Sequence, residues 1–202
     1  IAIKNPRNGQ RVYVKSYHAG LGVGGGTFVY DSTKATINDG VVTFNGWERI
    51  YKAPLTLDMA GAYSNLPQDS SDAINAATLY ASTNNIPLIG ESKTYSAVDV
   101  IMRSNLDFRD AFINCSVFDK DNISLIKTVR STSFDTPTTN VYLENIHLDG
   151  LRHLHTNVGM AGDGGRSGFE ILNVCDNITF VNCSANNCVT DGFGIFPNGI
   201  SF

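Results

Sequence analysis

Asn140-Val141-Tyr142-Leu143-Glu144-Asn145-Ile146-His147-Leu148-Asp149-Gly150 begins a stretch, running to Phe202, in which short β-type runs recur with Asn and Gly between them. Phe169-Glu170-Ile171-Leu172-Asn173-Val174 follows, then Asn177-Ile178-Thr179-Phe180-Val181-Asn182-Cys183, then Asp191-Gly192-Phe193-Gly194-Ile195-Phe196. Each run has the length of an ordinary strand, and none leads into a helix-period segment. Turn-punctuated strands of this kind suit a right-handed parallel β-helix, in which each coil buries its inward face against the next. Such a solenoid presents a long, rigid, polar flank suited to an extended polymer.

Working outward, Val98–Met102, Leu106–Phe108, Ala111–Cys115 and Ile123–Ile126 are further strand candidates, so strand follows strand from Tyr95 onward. Before them lies a change of period. Asp69-Ser70-Ser71-Asp72 offers several helix N-caps, and Ala73, Ile74, Ala77, Tyr80 and Ala81 recur at helical spacing up to Asn84-Asn85. A helix with so many small residues on one face can sit close to a sheet and cap the open end of a solenoid. Residues 1–57 read as a β-rich unit built from Arg11–Tyr17, Thr27–Asp31, Val41–Phe44 and Trp47–Tyr51. The glycine run Gly22-Val23-Gly24-Gly25-Gly26 lacks the Lys-Ser/Thr and the following helix of a phosphate loop, so it is expected to form a flexible turn. The expected organisation is a β-rich unit over 1–57, a linker and capping helix over 58–95, and the start of a parallel β-helix over 96–202.

Bulk properties narrow the function. The 202 residues are 42% hydrophobic and 17% charged, as in globular proteins. A net charge of −4 gives no basic stripe for nucleic acid. No apolar run approaches the ~18 residues of a membrane-spanning helix. Cys115, Cys175, Cys183 and Cys188 lack metal-site spacing and read as small buried thiols. Asn-x-Ser/Thr sequons at Asn114, Asn122, Asn177 and Asn182 read as turn asparagines beside β-formers. The first residues carry neither Met nor a leader pattern, and Asn198–Phe202 resembles the opening of another coil, so the sequence reads as part of a longer chain.

The order of these parts resembles the bacteriophage tailspikes that act as capsule or O-antigen depolymerases. Arg11–Tyr17 leading to Gly24–Asp31, then Asn38–Val42 and Trp47-Glu48-Arg49, is similar to the small β unit ahead of their β-helix. Gly61-Ala62, the helix Ser71–Thr83, and Ile86-Pro87-Leu88 with Gly90 and Tyr95 resemble the entry into their pectate-lyase-like β-helix. Tyr63–Gln68 departs from the pattern, standing where relatives often carry a Gly-Asp-Gly loop. The resemblance implies a homotrimer on the virion tail, made in the host cytoplasm and joined to other phage tail proteins. It implies binding and cleavage of a bacterial surface polysaccharide by hydrolysis or β-elimination, without a dissociable cofactor. Two alternatives stand beside it: a non-catalytic receptor-binding or structural tail module whose active site lies outside this chain, and a bacterial pectate-lyase-like enzyme.

Glycoside hydrolysis requires two carboxyl groups flanking the bond, so the carboxylates of the later coils are candidates: Glu144, Asp149, Asp163, Glu170, Asp176 and Asp191. Asp163, in Gly162–Arg166, together with Glu170 and Asp191 forms the catalytic shortlist. Asp163 and Asp191 each precede Gly, a standard turn pair, and Glu170 is expected to face outward between Phe169 and Ile171. His147, Arg152, His153 and His155 form a second cluster. Arg152, His153, His155 and Arg166 are candidates for substrate binding, set against the simpler reading of a polar surface patch. No metal site is expected, because two imidazoles lack a matched third ligand. Phe193 and Phe196 are expected in the core.

Overall fold

The computed structural model describes residues 3–115, 126–128, 137–152, 167–172 and 175–196. Asp163, His153, His155 and Arg166 lie outside the described residues, as does most of the Ile123–Ile126 run.

Four strands form the first sheet: β1 (Arg11–Ser16), β2 (Gly24–Tyr30), β3 (Thr43–Phe44) and β4 (Trp47–Ile50), in the order β1-β2-β4-β3 with every pairing antiparallel. The glycine run is not the flexible turn expected from sequence. Gly24, Gly25 and Gly26 are the first residues of β2, and glycine is required there by close approach. A Cβ on Gly24, whose φ is +67°, would collide with the Asp58 carbonyl oxygen, and one on Gly25 with the Val14 and Lys15 carbonyl oxygens.

Arg49 of β4 holds this sheet to the rest of the molecule. It is 4% exposed and pairs with no carboxylate among the described residues. Instead its guanidinium donates to the carbonyls of Gly25 (2.5 Å), Gly24 (3.0 Å), Met59 (3.2 Å) and Val41 (3.4 Å) and lies over the Phe28 ring at 4.6 Å. Burial pulls its pKa down to about 10. Met59 belongs to a short 3-10 turn, Leu57–Ala60, that follows β5 (Leu55–Thr56).

Helix α1 (Ser71–Asn84) matches the expected capping segment, ending at Asn85 in the left-handed conformation. Its Ile74, Ala77 and Ala81 are fully buried with Leu55, Leu57 and Leu88. Methyl-sized side chains let the helix axis approach the first coil and close that end of the core.

Beyond α1 the chain winds between two parallel sheets. One has the order β5-β6-β8-β10-β12, with β6 (Leu88–Ser96), β8 (Asp107–Asn114), β10 (Thr138–Asp149) and β12 (Cys175–Val181), and β13 (Ser184–Asn186) also pairing with β10. The second has β7 (Val100–Met102), β9 (Ile126–Thr128), β11 (Phe169–Leu172) and β14 (Phe193–Phe196) in that order. Interior residues align in columns through the registers: Leu88, Phe108, Leu143 and Phe180; Tyr95, Ile113, Leu148 and Ala185; Phe169 over Phe193. Phe169 is fully buried and stacks on Phe193 at 4.7 Å. Phe193 is thus in the interior column, yet 46% exposed rather than core-buried, because β14 is the last described strand of its sheet. The Phe196 side chain lies outside the described residues.

The recurring asparagines of the sequence are hydrogen-bonded columns. Asn140 Nδ2 donates to Asn105 Oδ1 at 3.2 Å, and Asn177 Nδ2 to Asn140 Oδ1 at 2.9 Å. Five residues on in each coil, Asn145 Nδ2 donates to Asp110 Oδ1 at 2.8 Å and Asn182 Nδ2 to Asn145 Oδ1 at 2.7 Å. All six have φ between +48° and +63°, a region Asn and Asp tolerate better than other residues with a side chain. Each coil therefore bends at the same two places. Asn177 and Asn182 sit in these bends, as the turn reading of their sequons expects.

Candidate functional site

The bend at Asp110, Asn145 and Asn182 reverses the inside-outside alternation within a strand. Val141 and Leu143 face the core before it, and Ile146 and Leu148 after it. The outer surface of the first parallel sheet therefore has two facets, one on each side of the bend.

On the first facet, Arg109 links two carboxylates from neighbouring coils. Its Nε and Nη2 donate to Asp107 at 2.7 and 2.9 Å, and its Nη1 to Glu144 at 3.0 Å. The Tyr142 hydroxyl also donates to Glu144, at 3.1 Å, beneath the guanidinium at 4.8 Å from the ring centroid. Paired hydrogen bonds with Asp107 push the Arg109 pKa further above its ordinary value. Partial burial, with the bond to Glu144, raises the Tyr142 hydroxyl. The side chains are 28% to 40% exposed, so the network is accessible to solvent. Chemically it is one guanidinium shared between two carboxylates. Hydrolysis needs one carboxyl that hands a proton to the leaving group and a second that stays available, whereas here both are engaged by one guanidinium.

The second facet is an open cleft of about 390 Å³. Thr94, Phe112, His147 and Ser184 stand side by side in register on β6, β8, β10 and β13. One step along the strands, Asn114, Asp149 and Asn186 form a polar row. Phe112 and His147 stack with ring centroids 5.0 Å apart and 29° between planes, and His147 Nδ1 lies 2.9 Å from Ser184 Oγ. Asp149 Oδ1 accepts from the Leu151 backbone N–H at 2.9 Å and from Asn187 Nδ2 at 3.0 Å, so the carboxylate is held by its own turn and by the next coil.

Of the residues shortlisted from sequence, Glu170, Asp191 and Arg152 fall among the described residues. Glu170 lies between Phe169 and Ile171, which pack in the core, and is only 6% exposed, which corrects the expectation of a solvated face. Its main-chain neighbours across the sheet are Lys127 and Gly194. Asp191 is exposed in the turn before β14, where its carbonyl accepts from the Gly168 N–H at 2.9 Å, in keeping with a plain Asp-Gly turn. Arg152 is exposed just past β10, its backbone N–H donating to the Asn187 carbonyl at 3.0 Å. Sequence reasoning missed Asp107, Arg109 and Phe112. The repeated pattern of Asn105 to Asp110, Asn140 to Asn145 and Asn177 to Asn182 would have aligned the coils and placed them beside Tyr142, Glu144 and His147. Among the described residues, no group of three or more His, Cys, Asp and Glu could hold a metal ion.

The class that this architecture defines is the phage tailspike fold: a small antiparallel sheet, a capping helix and the first coils of a right-handed parallel β-helix. Residues 1–52 match the phage tail protein small four-stranded beta-sheet domain. The capsule K2-specific depolymerase of Klebsiella phage vB_KpnP_KpV74 is 42% identical over 93 residues, which cover 44% of this chain and 16% of that protein. In structure the chain is similar to the tailspike protein of Acinetobacter phage vB_ApiP_P1, with TM-score 0.60 and 19% identity over 97% of this chain and 37% of the other. It is also similar to Pantoea stewartii WceF, a glycan biofilm modifying enzyme with a tailspike-like parallel β-helix, with TM-score 0.51 and 21% identity over 87% of this chain and 28% of the other. The chain thus spans well under half the length of each of these relatives.

Proposed function

We propose that this chain is the forward part of a phage tailspike that binds a bacterial surface polysaccharide, capsule or O-antigen, and that the whole protein cleaves it. The observation carrying this reading is the 42% identity to a capsule-specific depolymerase over 93 residues. The parallel β-helix supports it by supplying a rigid flank along which successive sugar rings can lie. The whole spike is a homotrimer on the virion tail, joined to other tail proteins through the end that bears the antiparallel sheet. Its three units are the β-rich residues 1–57, the linker and capping helix 58–95, and the β-helix from 96 onward.

For the described residues the role in this reading is binding and support. Among the described residues, the carboxylates Asp107 and Glu144 are tied to Arg109, Asp58 and Glu91 to Lys93, Glu170 is buried, and Asp191 sits in a turn. We therefore place the catalytic carboxylates outside the described residues, and glycosidic bond hydrolysis is the reaction we assign to the whole protein. Incubating the full-length protein with a panel of purified capsules and O-antigens tests this, reading new reducing ends for hydrolysis and unsaturated uronates for elimination. Polymers that remain full length across the panel, with no spike retained on them, would overturn the reading.

A further inference from the structure

Phe112 is out of place for a residue with only a structural task. It is 43% exposed, although its neighbours Ala111 and Ile113 are buried and the strand would accept a polar side chain there. Leaving the ring in water forgoes the gain that burial would bring. The ring is nevertheless fixed in place, stacked on His147 of the next coil, whose Nδ1 is held 2.9 Å from Ser184 Oγ one coil further on. Three coils thus cooperate to present a flat apolar platform on the floor of an open cleft. Along one side run Asn114, Asp149 and Asn186, which offer amide donors and carbonyl or carboxylate acceptors.

We propose that this cleft is a subsite for one uncharged pyranose ring. A pyranose has a face of C–H bonds and a rim of hydroxyls. The C–H face would lie on Phe112 and His147, and the hydroxyls would meet the polar row. The platform is too open and shallow to enclose an apolar side chain, and its polar row runs parallel to it, which matches a ring with one dry face and a wet edge. Charge selects the class of sugar. Among the described residues the cleft is lined by one carboxylate, Asp149, and by no Lys or Arg, while Arg109 on the other facet is committed to Asp107 and Glu144. A uronate or sialate carboxylate would face Asp149 with no Lys or Arg among the described lining residues to offset it, so a neutral hexose is favoured. This inference rests on the polysaccharide reading and assigns it a place and a sugar class.

Saturation-transfer NMR on the full-length protein tests it, with methyl α-D-glucopyranoside and methyl α-D-galactopyranoside as neutral probes and methyl α-D-glucuronide as the charged one. Transfer to the ring C–H protons of at least one neutral probe should fall about two- to tenfold in Phe112→Ala and return in Phe112→Tyr. The glucuronide should receive the weaker transfer in wild type. The exposed site should leave the melting temperature of both variants close to wild type, so lost transfer cannot be assigned to misfolding. Transfer unchanged by Phe112→Ala, or a stronger Phe112-dependent signal from the glucuronide, overturns the subsite. Capsule retention and cleavage are read on the same samples. If the wild type acts on a polysaccharide while Phe112→Ala leaves the transfer unchanged, the subsite fails and the tailspike reading stands. If no polysaccharide is bound or cut but Phe112-dependent transfer persists, the reverse holds.

Discussion

Asn145→Asp is the sharpest probe of the asparagine columns. The substitution preserves size, tolerance of φ +53° and the acceptor for Asn182, but replaces the amide that donates to Asp110 with a second carboxylate. Losing an amide-to-carboxylate hydrogen bond costs about 1.5–3 kcal/mol. Two like charges 2.8 Å apart add ~1.5 kcal/mol even at the dielectric constant of water, less whatever rotation of the side chains relieves. The expected loss at neutral pH is about 3 kcal/mol, which for a domain of this size lowers the melting temperature by roughly 6–12 °C. The pH dependence carries the argument. Repulsion raises the folded-state pKa of the new pair above the ~3.9 of an unfolded Asp, so the folded variant binds protons more tightly than the unfolded chain. Its stability relative to wild type is therefore highest in acid, falls as pH rises through about 4 to 6, and is lowest at 7. Asn145→Ala, lacking a charge, should lose stability by an amount that does not change with pH. Scanning fluorimetry of the three proteins from pH 4 to 7.5 makes the comparison. A deficit for Asn145→Asp that is constant over that range, or absent, would refute the account of the column as a working hydrogen-bond ladder.

Three further outcomes follow from the junction and the thiols. Gly25→Ala drives a methyl into the Val14 and Lys15 carbonyls at the β1–β2 pairing, so the first sheet should open and become protease-sensitive while α1 and the coils resist. Arg49→Met keeps much of the bulk but leaves the Gly24, Gly25 and Met59 carbonyls without their donor, an expected loss of about 2–4 kcal/mol in urea unfolding. Arg49→Lys should recover only part of it, because an ammonium cannot reproduce the planar fork. Burial raises both Cys183 and Cys188, so iodoacetamide should label them more slowly than a free thiol at pH 8 and catch up only well above the ordinary thiol range.

What could be read from the sequence followed from local rules. The helix is announced by its N-terminal Asp-Ser cluster and Ala stripe, and the coils by β-formers between asparagines. Register was hidden by two features. Asn145 flips the alternation in the middle of β10, so the run from Val141 to Asp149 matches no single period. Successive coils also differ in length, with 20 residues from Leu88 to Phe108, 35 to Leu143 and 37 to Phe180. Without register, Asp107 and Arg109 could not be set beside Glu144, nor Phe112 beside His147. Arg49 was invisible for another reason. A fully charged side chain in an alternating strand reads as solvent-facing, and the Gly24, Gly25, Val41 and Met59 carbonyls that make its burial affordable are brought together only in the tertiary structure.

Unequal coils have an evolutionary consequence. From Phe108 to Ile126 and on to Leu143 the chain takes 18 and 17 residues; from Leu143 to Phe169 and on to Phe180 it takes 26 and 11. The interior columns stay in step through this redistribution. Insertions and deletions on one side of a coil are thus decoupled from the packing of the core. Such a scaffold can drift in outline, trading one connection for another, without first acquiring compensating changes inside.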